Sequence, residues 1–568
     1  MGASKIEKKA VEILKKVVNL EEDEILNLLE EPPDPKLGDL AFPCFELAKK
    51  LKKNPNEIAK EIVDKTEIPK DSIFSEVKVI GPYVNFFFDK GKLAKYVIEK
   101  IKKEKEKFGS GEKKKEKVMI EHSQPNTHKA FHVGHLRNVC LGDSLVRIMK
   151  FYGYDVISAN YINDTGQHVA RCLWCYLKFH KGEEPETRKG EWLGKLYAEA
   201  TKKLEENPEY KKEVDEIQQK LESKDPKIME LWKKTREWSL EEFRRIYKQL
   251  NVDFDVWFYD HELIDNSKKI VEELVKKGIA EESEGAIVVK EEKTGLPTVI
   301  IQKSDGTIPY ITKDLELAKI KFEKYKIDKS IYVVAAPQTL HFKQLFKILE
   351  LYGFEQAKKC YHLSYELVML KTGKMSSREG SVVLYRELFE TAKKKIIKEI
   401  EKRHELSDEE IDSLAEKIAL GALKYAMLKR ENNKVIIFDW DEVLSIEGES
   451  GPYLQYSLVR AKKILEKAGT EPNFDKLNLL VEEDEFNLIK KMNEFPEIVK
   501  KASENYKPHL TAKYAFELST LFSKFYETCP VIQAEKSIKE ARLSLVWTFI
   551  QVMRNCLKLL GIDEVDMM

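Results

Sequence analysis

The segment Ser123–His135 carries the residues whose types and spacing most directly suggest chemistry. It follows the short apolar run Val118–Ile120 and leads into a helix-like pattern, LRNVCLGDSLVRIMK. A strand, a turn and a helix in this order form an anion-binding corner, because free N–H groups and the helix dipole both attract phosphate. On a helix His132 and His135 share one face, and Gly134 lets a base or a phosphate approach the backbone. We therefore predict a nucleotide site that uses histidine.

A second candidate element, KTGKMSSREG at residues 371–380, lies roughly 240 residues further along. Glycines flank a run that begins with Lys374, Met375 and Ser376. A glycine-flanked loop that carries lysine and arginine can move over a triphosphate and neutralise the charge that develops on the departing pyrophosphate. The two elements together predict a site that cleaves a nucleotide triphosphate.

The elements that must position these residues follow from periodicity. Between residues 118 and 385 the apolar runs VMI, DVISANYI, AIVV, TVII and SIYVVAA alternate with helical patterns, which predicts a doubly wound parallel sheet. A charged helical insertion is expected at about 176–250. Residues 1–100 are predicted to form a small α/β unit, and residues 386–568 a helix bundle. The charged stretch 101–117 is predicted to be a solvated linker, with a basic patch facing RNA as the alternative.

Composition excludes several classes of protein. The chain has 568 residues, with 98 Lys and Arg balanced by 98 Asp and Glu, so net charge gives no nucleic-acid signal. The 35% of charged residues is typical of the ion-pair-rich surfaces of thermophilic proteins. Seven cysteines without framework spacing, and no apolar run of membrane-spanning length, indicate a cytosolic protein. For Cys172 and Cys175, a C-x-x-C without a second ligand pair, buried thiols are favoured over a zinc site.

HVGH and KMSSR resemble the two signatures, usually written HIGH and KMSKS, of class I aminoacyl-tRNA synthetases. Their order, at opposite ends of a Rossmann-like region, strengthens the match. The usual second lysine of KMSKS is replaced by Ser377, and Arg378 follows. Lys129, three residues before His132, can supply the missing charge, with a plain surface lysine as the alternative. That substitution is a trait of arginyl-tRNA synthetases, and SQPNTHKAFHVGHLR resembles their sequence, most closely that of archaeal and eukaryotic members.

This resemblance implies a multidomain α/β and all-α enzyme, with an N-terminal domain that contacts the tRNA elbow and a C-terminal helical anticodon-binding domain. It implies an arginine–tRNA ligase that uses arginine, tRNA(Arg) and ATP with Mg²⁺, acting as a cytoplasmic monomer without a tightly bound metal. The catalytic residues would be Lys129, His132, His135 and Lys374. The ATP-binding residues would be Ser123, Asn126, Lys129, His132, Gly134, His135, Lys374, Met375 and Ser376.

Recognition of arginine requires carboxylates, because guanidinium presents planar donors that a carboxylate accepts in pairs. Tyr310 and Asp314, four residues apart, resemble the arginine-specific Y-x-x-x-D pattern. A helix-start carboxylate is the alternative for Asp314, and a loop amide for Gln338. The resemblance implies that the arginine-binding residues are Glu121, Asn126, Glu262, Tyr310, Asp314 and Gln338.

The tRNA contacts implied by the resemblance lie outside the sheet region. An exposed aromatic side chain beside an amide can stack on and read an unpaired base. The implied residues are Tyr83 and Asn85 for the elbow, and Tyr453, Tyr456, Tyr526 and Met568 for the anticodon. Packing between helices is the alternative for each of these tyrosines. Phosphate contacts could come from Lys424, Lys429, Arg430 and Arg460.

Two rival functions remain open at this stage. A class I synthetase for another amino acid would lack the acidic pocket around Asp314. An inactive tRNA-binding paralogue would need a broken catalytic element; the departure at Ser377 points in that direction, whereas the intact His132, His135 and Lys374 point against it.

Overall fold

The computed structural model describes residues 5–371 and 383–568. The chain divides into two compact units. The first comprises Met1–Gly109, Ser457–Ile498 and Glu517–Asn555, and the second comprises Ser110–Tyr456, Val499–Phe516 and Cys556–Met568. No helix within the described ranges has both the length and the apolar character needed to cross a membrane.

The N-terminal part of the first unit is a small α/β structure. Its antiparallel sheet has the order β1-β3-β2, and Val84 and Phe86 of the central strand are fully buried. The strands are β1 (Leu40–Pro43), β2 (Phe74–Ile80) and β3 (Tyr83–Phe88). The helices are α1 (Lys5–Leu14), α2 (Glu22–Leu28), α3 (Phe45–Leu51), α4 (Pro55–Lys65) and α5 (Lys90–Glu104).

Residues 101–117, predicted to be a solvated linker, are partly buried in the structure. Its first residues complete α5, where Ile101 is fully buried. Phe108 is also fully buried, and its ring stacks on Phe495 at 6.0 Å between centroids. Two apolar side chains within a charged stretch therefore anchor its first half in a core, which charge patterning alone does not reveal.

The second unit is built on a five-stranded parallel sheet in the order β11-β10-β4-β5-β6. Successive residues of β4 face opposite cores: Val118 and Ile120 pack on one side and Met119 on the other. Burial on both faces explains why this strand is a continuous apolar run. The strands are β4 (Lys117–Glu121), β5 (Asp155–Ile162), β6 (Val256–Tyr259), β10 (Lys329–Ala335) and β11 (Cys360–Tyr365). The first crossover helix is α6 (Val133–Phe151).

The expected helical insertion is present between β5 and β6. It has its own apolar core, which includes Trp174, Leu193, Ile217 and Trp232. The insertion consists of α7 (Gln167–Phe179), α8 (Lys189–Glu206), α9 (Tyr210–Glu222) and α10 (Pro226–Gln249).

The apolar runs AIVV and TVII do not join the parallel sheet, contrary to the prediction. They form a separate antiparallel sheet of β7 (Glu281–Ser283), β8 (Ala286–Val289) and β9 (Val299–Gln302). The reason lies in the tight β7–β8 turn, where Glu284 and Gly285 have φ of 53° and 77°. A two-residue turn with positive φ at both positions joins antiparallel neighbours. The helices of this region are α11 (Asp260–Lys276), α12 (Glu291–Thr294), α13 (Tyr310–Tyr325) and α14 (Thr339–Tyr352).

The region after residue 386 is mainly helical, with one strand that the sequence pattern did not predict. That strand, β13 (Ile436–Phe438), pairs in parallel with β12 (Val368–Leu370). The helices are α15 (Tyr385–Glu401), α16 (Asp408–Leu428), α17 (Trp440–Val443), α18 (Gly451–Ala468), α19 (Glu483–Glu504), α20 (His509–Thr528) and α21 (Lys536–Leu560). Short 3₁₀ helices occur at Pro35–Leu37, Lys105–Lys107, Ala336–Gln338, Glu355–Lys359 and Phe474–Leu479.

Candidate active site

The strand order reverses direction between β4 and β10, and a cavity of about 260 Å³ lies at their carboxyl ends. From β4 the chain runs through β5 and β6 on one side, and later through β10 and β11 on the other. Such a switch point leaves a crevice where α/β proteins bind ligands. The cavity is lined by Glu121, Gln124, Asn126, Tyr161, Asn163, Tyr310, Asp314, Val334, Gln338, His341 and Phe342. It brings together five of the six residues predicted to bind arginine.

The loop after β4 has an unusual backbone. Ser123, Gln124 and His128 are non-glycine residues with φ of 77°, 48° and 62°. Positive φ costs conformational energy and persists only where the surroundings fix it. Here the Ser123 N–H donates to Asn138 Oδ1 at 2.7 Å, and the Ser123 hydroxyl is 2.6 Å from the Tyr247 hydroxyl. The loop that leads to the histidines is therefore held in a fixed shape, and Ser123 itself is buried.

The helical insertion also supports this loop. The His128 N–H donates to Ser239 Oγ at 3.0 Å, and His128 Nε2 lies 2.8 Å from Thr235 Oγ1. Both partners lie on α10. Burial lowers the pKa of His128 to about 3, so its ring is neutral near pH 7. On α8, a side chain added at Gly194 would meet Ala130 at 2.8 Å, so glycine allows the helix to pack against the chain beside Lys129.

His132 and His135 form a stacked pair at the start of α6, with ring centroids 3.8 Å apart. His132 is the N-cap: its Nδ1 accepts the Gly134 N–H at 3.1 Å, and His135 Nδ1 accepts the His132 N–H at 3.2 Å. Burial, aided by the nearby Lys129, lowers the pKa of His132 to about 4 and that of His135 well below its usual value. In a neutral ring whose Nδ1 accepts, Nε2 carries the proton. Both rings are therefore set as Nε2–H donors at a helix N-terminus, where anions bind.

Lys129 lies beside the histidine pair. Its ammonium group is 4.7 Å from the centre of the Tyr197 ring, which α8 provides. Its charge adds to burial in lowering the pKa of His132, His135 and His168. The position agrees with a cation close to a bound phosphate.

The second signature lies outside the described residues, and this includes Lys374, Met375 and Ser376 as well as Ser377 and Arg378. The chain that follows it returns to the first signature. The Val133 N–H donates to the Val383 carbonyl at 3.1 Å, and the Tyr385 N–H donates to the Phe131 carbonyl at 3.0 Å. Val383 and Tyr385, which follow the second signature, are thus hydrogen-bonded to the turn that carries His132.

At the other end of the cavity lie the two residues of the Y-x-x-x-D pattern. Tyr310 is the first residue of α13 and is 48% exposed, and Asp314 lies one turn further along the helix. Asp314 therefore does not cap the helix, which was the alternative for this residue. Its Oδ2 is 2.6 Å from His341 Nε2. Gln338 ends a 3₁₀ helix and is exposed at the rim of the cavity.

Glu121 is the last residue of β4, and Asn126 lies in the loop that follows. Glu121 is buried and forms an ion pair of 2.5 Å with the fully buried Lys321, and its Oε1 accepts from Gln124 Nε2 at 2.8 Å. Asn126 Oδ1 accepts from Asn163 Nδ2 at 2.7 Å. The Lys321 pairing was not predicted, because Glu121 and Lys321 are 200 positions apart in sequence.

Glu262, predicted to bind arginine, is not at the cavity. It is exposed on α11, whereas Asp260 two residues earlier is fully buried. Asp260 accepts the Tyr161 hydroxyl at 2.8 Å and pairs with Lys313 at 2.5 Å. On a helix, residues two apart do not share a face, so only one of these two acids can point inward. Asp260 is the acid that points inward, but it does not line the switch-point cavity either.

The candidate elbow residues lie in the first unit. Asn85 is buried, and its amide donates weakly to the Tyr83 carbonyl at 3.4 Å, so the expected exposed amide is absent. Residues alternate across a strand, and Asn85 lies between the buried Val84 and Phe86 in a strand covered on both sides. Tyr83 is half-buried, with the exposed Phe45 packed edge-on at 5.6 Å.

Of the candidate anticodon residues, Tyr526 in the first unit is 44% exposed, with the Arg460 guanidinium 5.3 Å from its ring. In the second unit Tyr453 and Tyr456 are half-buried on α18, and the Tyr453 ring lies 5.7 Å from Phe516. Met568 lines a cavity of about 550 Å³. Its other lining residues include Lys395, Lys398, Lys402, Arg403, His404 and Trp440.

Two of the proposed phosphate-contacting lysines are used inside the protein. Lys424 is buried and donates to the backbone carbonyls of Leu250 and Gly561. Lys429 donates to Glu442 and to the Glu449 carbonyl. Both predictions are therefore wrong, because these lysines satisfy polar groups within the second unit.

Cys172 and Cys175 are both buried, and all seven cysteines are free. In the described ranges, Cys175, His180 and Glu199 bring three potential ligand atoms within 4.8 Å of one another. Both ring nitrogens of His180 are nevertheless hydrogen-bonded to carboxylates, Nδ1 to Glu183 and Nε2 to Glu199, each at 2.9 Å. The arrangement fits an imidazolium held between two acids.

Three segments of the chain match families of known proteins. Residues 97–440 match the family tRNA synthetases class I (R), catalytic domain; residues 454–568 match the DALR anticodon binding domain; residues 4–88 match the arginyl tRNA synthetase N terminal domain. An arginine–tRNA ligase of Bdellovibrio bacteriovorus is 40% identical over 96% of this chain and 95% of its own length. One of Clostridium perfringens is 40% identical over 99% of both chains.

Solved structures agree with these matches. The arginyl-tRNA synthetase of Thermus thermophilus superimposes with a TM-score of 0.80 at 27% identity, covering 99% of both chains. That of Plasmodium falciparum has the same fold, with a TM-score of 0.77 at 23% identity. The two relatives that are 40% identical to this chain are bacterial, so the expected archaeal or eukaryotic affinity is not supported. The chain belongs to the arginyl-tRNA synthetase family.

Proposed function

We propose that this chain ligates arginine to tRNA(Arg) in two steps at the switch-point cavity. In the first step, a carboxylate oxygen of arginine attacks the α-phosphorus of ATP, which enters with Mg²⁺ as substrate. The bond to the bridging oxygen breaks, pyrophosphate leaves and arginyl-adenylate forms. In the second step, a ribose hydroxyl of the 3′-terminal adenosine attacks the carbonyl carbon, and AMP leaves. Neither step needs a nucleophile from the protein, so positioning and electrostatics carry the rate.

The arginine end of the cavity is assigned first. Tyr310 and Asp314 receive the guanidinium, Asn126 and Gln338 orient the α-ammonium group, and Glu121 lines the floor. The single observation that carries this assignment is that all five residues, drawn from distant parts of the chain, line one cavity. A carboxylate beside a tyrosine hydroxyl suits a planar guanidinium better than it suits an apolar amino acid.

The phosphate end is assigned to the start of α6. His132 and His135 donate Nε2–H groups to the α-phosphate oxygens, Lys129 adds the positive charge, and Gly134 and Ser123 border the nucleotide. Neutral donors suit this position, because they stabilise developing negative charge without requiring two buried cations side by side. Lys374, Met375 and Ser376 are assigned to the pyrophosphate, an assignment that rests on the signature motif alone.

The remaining predicted residues are assigned to contacts with tRNA. Tyr83 contacts the elbow, and Tyr453, Tyr456, Tyr526 and Met568 contact the anticodon region. The cavity beside Met568 supports this assignment, because four cationic side chains and an aromatic ring, Trp440, occur together there, beside the three carboxylates of Glu399, Asp441 and Glu447. We also propose domains at 1–100, 118–385 and 386–568, and a monomeric enzyme. The seven free cysteines support a cytoplasmic location.

Pyrophosphate exchange into ATP tests the proposal. We expect exchange that depends on arginine and on cognate tRNA, and we expect Asp314→Asn to raise the KM for arginine at least tenfold while the KM for ATP changes little. A charged hydrogen bond to guanidinium contributes about 1.5–3 kcal/mol, which corresponds to at least a tenfold effect. Absence of exchange with arginine, cognate tRNA and ATP all present would disprove the enzymatic assignment. An unchanged KM for arginine in Asp314→Asn would disprove the pocket assignment alone.

A further inference from the structure

The carboxylate of Asp314 is held by a histidine on the neighbouring helix. His341 Nε2 lies 2.6 Å from Asp314 Oδ2, and the two residues belong to α14 and α13. Both line the cavity together with Tyr310 and Gln338. Within the described ranges Asp314 Oδ1 accepts no hydrogen bond, so one oxygen is taken by the imidazole and the other is left for a ligand.

The other charged groups around the cavity are already compensated. Glu121 is paired with the buried Lys321. Lys313, next to Tyr310 on α13, is paired with the buried Asp260. These two pairs contribute no net charge to the cavity. The net charge therefore depends on Asp314 and its partner.

The remaining titratable groups that face His341 stay in one state near neutral pH. His362 of β11 donates to the Val334 carbonyl at 2.9 Å and stacks on Phe342, and burial lowers its pKa. Burial and the nearby Asp260 raise the pKa of Tyr161 well above its usual value, so it stays protonated. The 3₁₀ helix Ala336–Gln338 contributes no titratable group. Of these charged groups, the Asp314 carboxylate is thus the one left to meet a cation in the cavity.

We propose that His341 is a positioning and specificity-determining residue for arginine: its Nε2 holds Oδ2 of Asp314 and thereby orients Oδ1 toward the guanidinium. This inference rests on the proposed arginine site. The Asp314 carboxylate supplies one negative charge, which matches one guanidinium. A carboxylate that is already held in one orientation binds a planar guanidinium at a lower cost in side-chain freedom than a carboxylate that must be ordered on binding.

The test is the KM for arginine in the exchange reaction, measured together with kcat and with the KM for ATP at saturating tRNA. His341→Gln keeps an N–H donor, so its KM for arginine should stay near that of the wild type. His341→Ala loses the donor and should raise the KM for arginine by about tenfold or more, while kcat and the KM for ATP change little.

His362→Gln is the matched control, because His362 stacks on Phe342 of the same cavity wall and donates to the Val334 carbonyl; it should keep the wild-type KM for arginine. A wild-type KM in His341→Ala would overturn the inference, and so would a KM in His341→Gln as high as that in His341→Ala. If His341→Ala does not fold, His341→Leu, which fills the space without a donor, takes its place. Failure of the proposed function would look different, because the wild type itself would then show no arginine-dependent exchange.

Discussion

In the proposed reaction, His132 and His135 act as hydrogen-bond donors without carrying charge. Each Nδ1 accepts a backbone N–H, which fixes the proton on Nε2. The permanent positive charge at this end of the site is then that of Lys129. A lysine that stabilises charge only as pyrophosphate leaves contributes to kcat more than to ground-state binding.

Replacement of Lys129 tests this division of roles. We expect Lys129→Met to lower kcat for adenylate formation by about 100-fold, since loss of one group that stabilises developing charge costs about 10²–10³ in kcat. Lys129→Arg should recover part of the rate. Lys195→Met is the matched control, because Lys195 lines the neighbouring cavity with Lys129 but is exposed on α8. The measurements are ATP–pyrophosphate exchange and the tRNA dissociation constant, and an equal loss in both would contradict the assignment.

The residue types of the site could be predicted from local sequence, but their pairing could not. HVGH, the Y-x-x-x-D pair and Gln338 were recognisable because spacing and motif are local properties. Which helix face is buried after folding decides which side chains pair. It brings Lys321 to Glu121 and His341 to Asp314, and it buries Asp260 while Glu262 stays exposed. For the same reason the motif identifies His132 but not its charge, because burial sets the charge.

The helix α6 packs closely against the loop that precedes it. A side chain added at Gly142 would meet the ring of His122 at 2.2 Å. His122 is fully buried in contact with Ser158 of β5, at 3.0 Å between Nε2 and Oγ. Gly142 therefore sets the distance between the helix and the end of β4, and with it the position of the histidine pair at the start of the helix.

A double-mutant cycle tests this packing. We expect Gly142→Ala to lower the free energy of unfolding by about 1–3 kcal/mol, the usual cost of overpacking, even though alanine favours a helix. In a His122→Ala background the ring is absent, so the same change should cost much less. The measurement is urea unfolding followed by far-ultraviolet circular dichroism. Equal costs in both backgrounds would show that the ring does not limit the approach of α6.

Strand pairing was the least predictable property at the element scale. The parallel strands β4, β5 and β10 were readable as apolar runs separated by helical patterns. The runs that became β8 and β9 look the same in composition, and only the turn at Glu284–Gly285 distinguishes them. The strand β13 is three residues long and lies between helices, so no periodic pattern could reveal it.

At the scale of the whole molecule, buried neutral histidines link stability to pH. Burial lowers the pKa of His122 and His128 to about 3 and that of His132 to about 4, and it places those of His135 and His168 well below the usual value. A lowered pKa means that the unfolded chain takes up protons first, near the ordinary imidazole pKa of about 6.5. The stability that these groups contribute is complete above pH 6.5 and is lost as the pH falls toward 4.

One histidine acts in the opposite direction. At His180, desolvation is outweighed by hydrogen bonds to Glu183 and Glu199, so its pKa is raised and it adds stability below pH 6.5. Burial lowers the pKa of His362 and His509 as well, so seven lowered groups against one raised group leave a net loss of stability on acidification. Each lowered histidine contributes a slope of up to about 1.4 kcal/mol per pH unit in this window.

We therefore expect the urea midpoint of the second unit to decrease steadily from pH 7 to pH 5, above the range in which most carboxylates titrate. Tryptophan fluorescence can follow this transition, because Trp174, Trp232 and Trp238 lie in the core of the insertion. His122→Gln removes one group whose pKa is lowered and should reduce the slope, whereas His180→Gln removes the opposing group and should increase it. A midpoint that is constant between pH 7 and pH 5, or that rises on acidification, would contradict the neutral state assigned to the histidines at the start of α6.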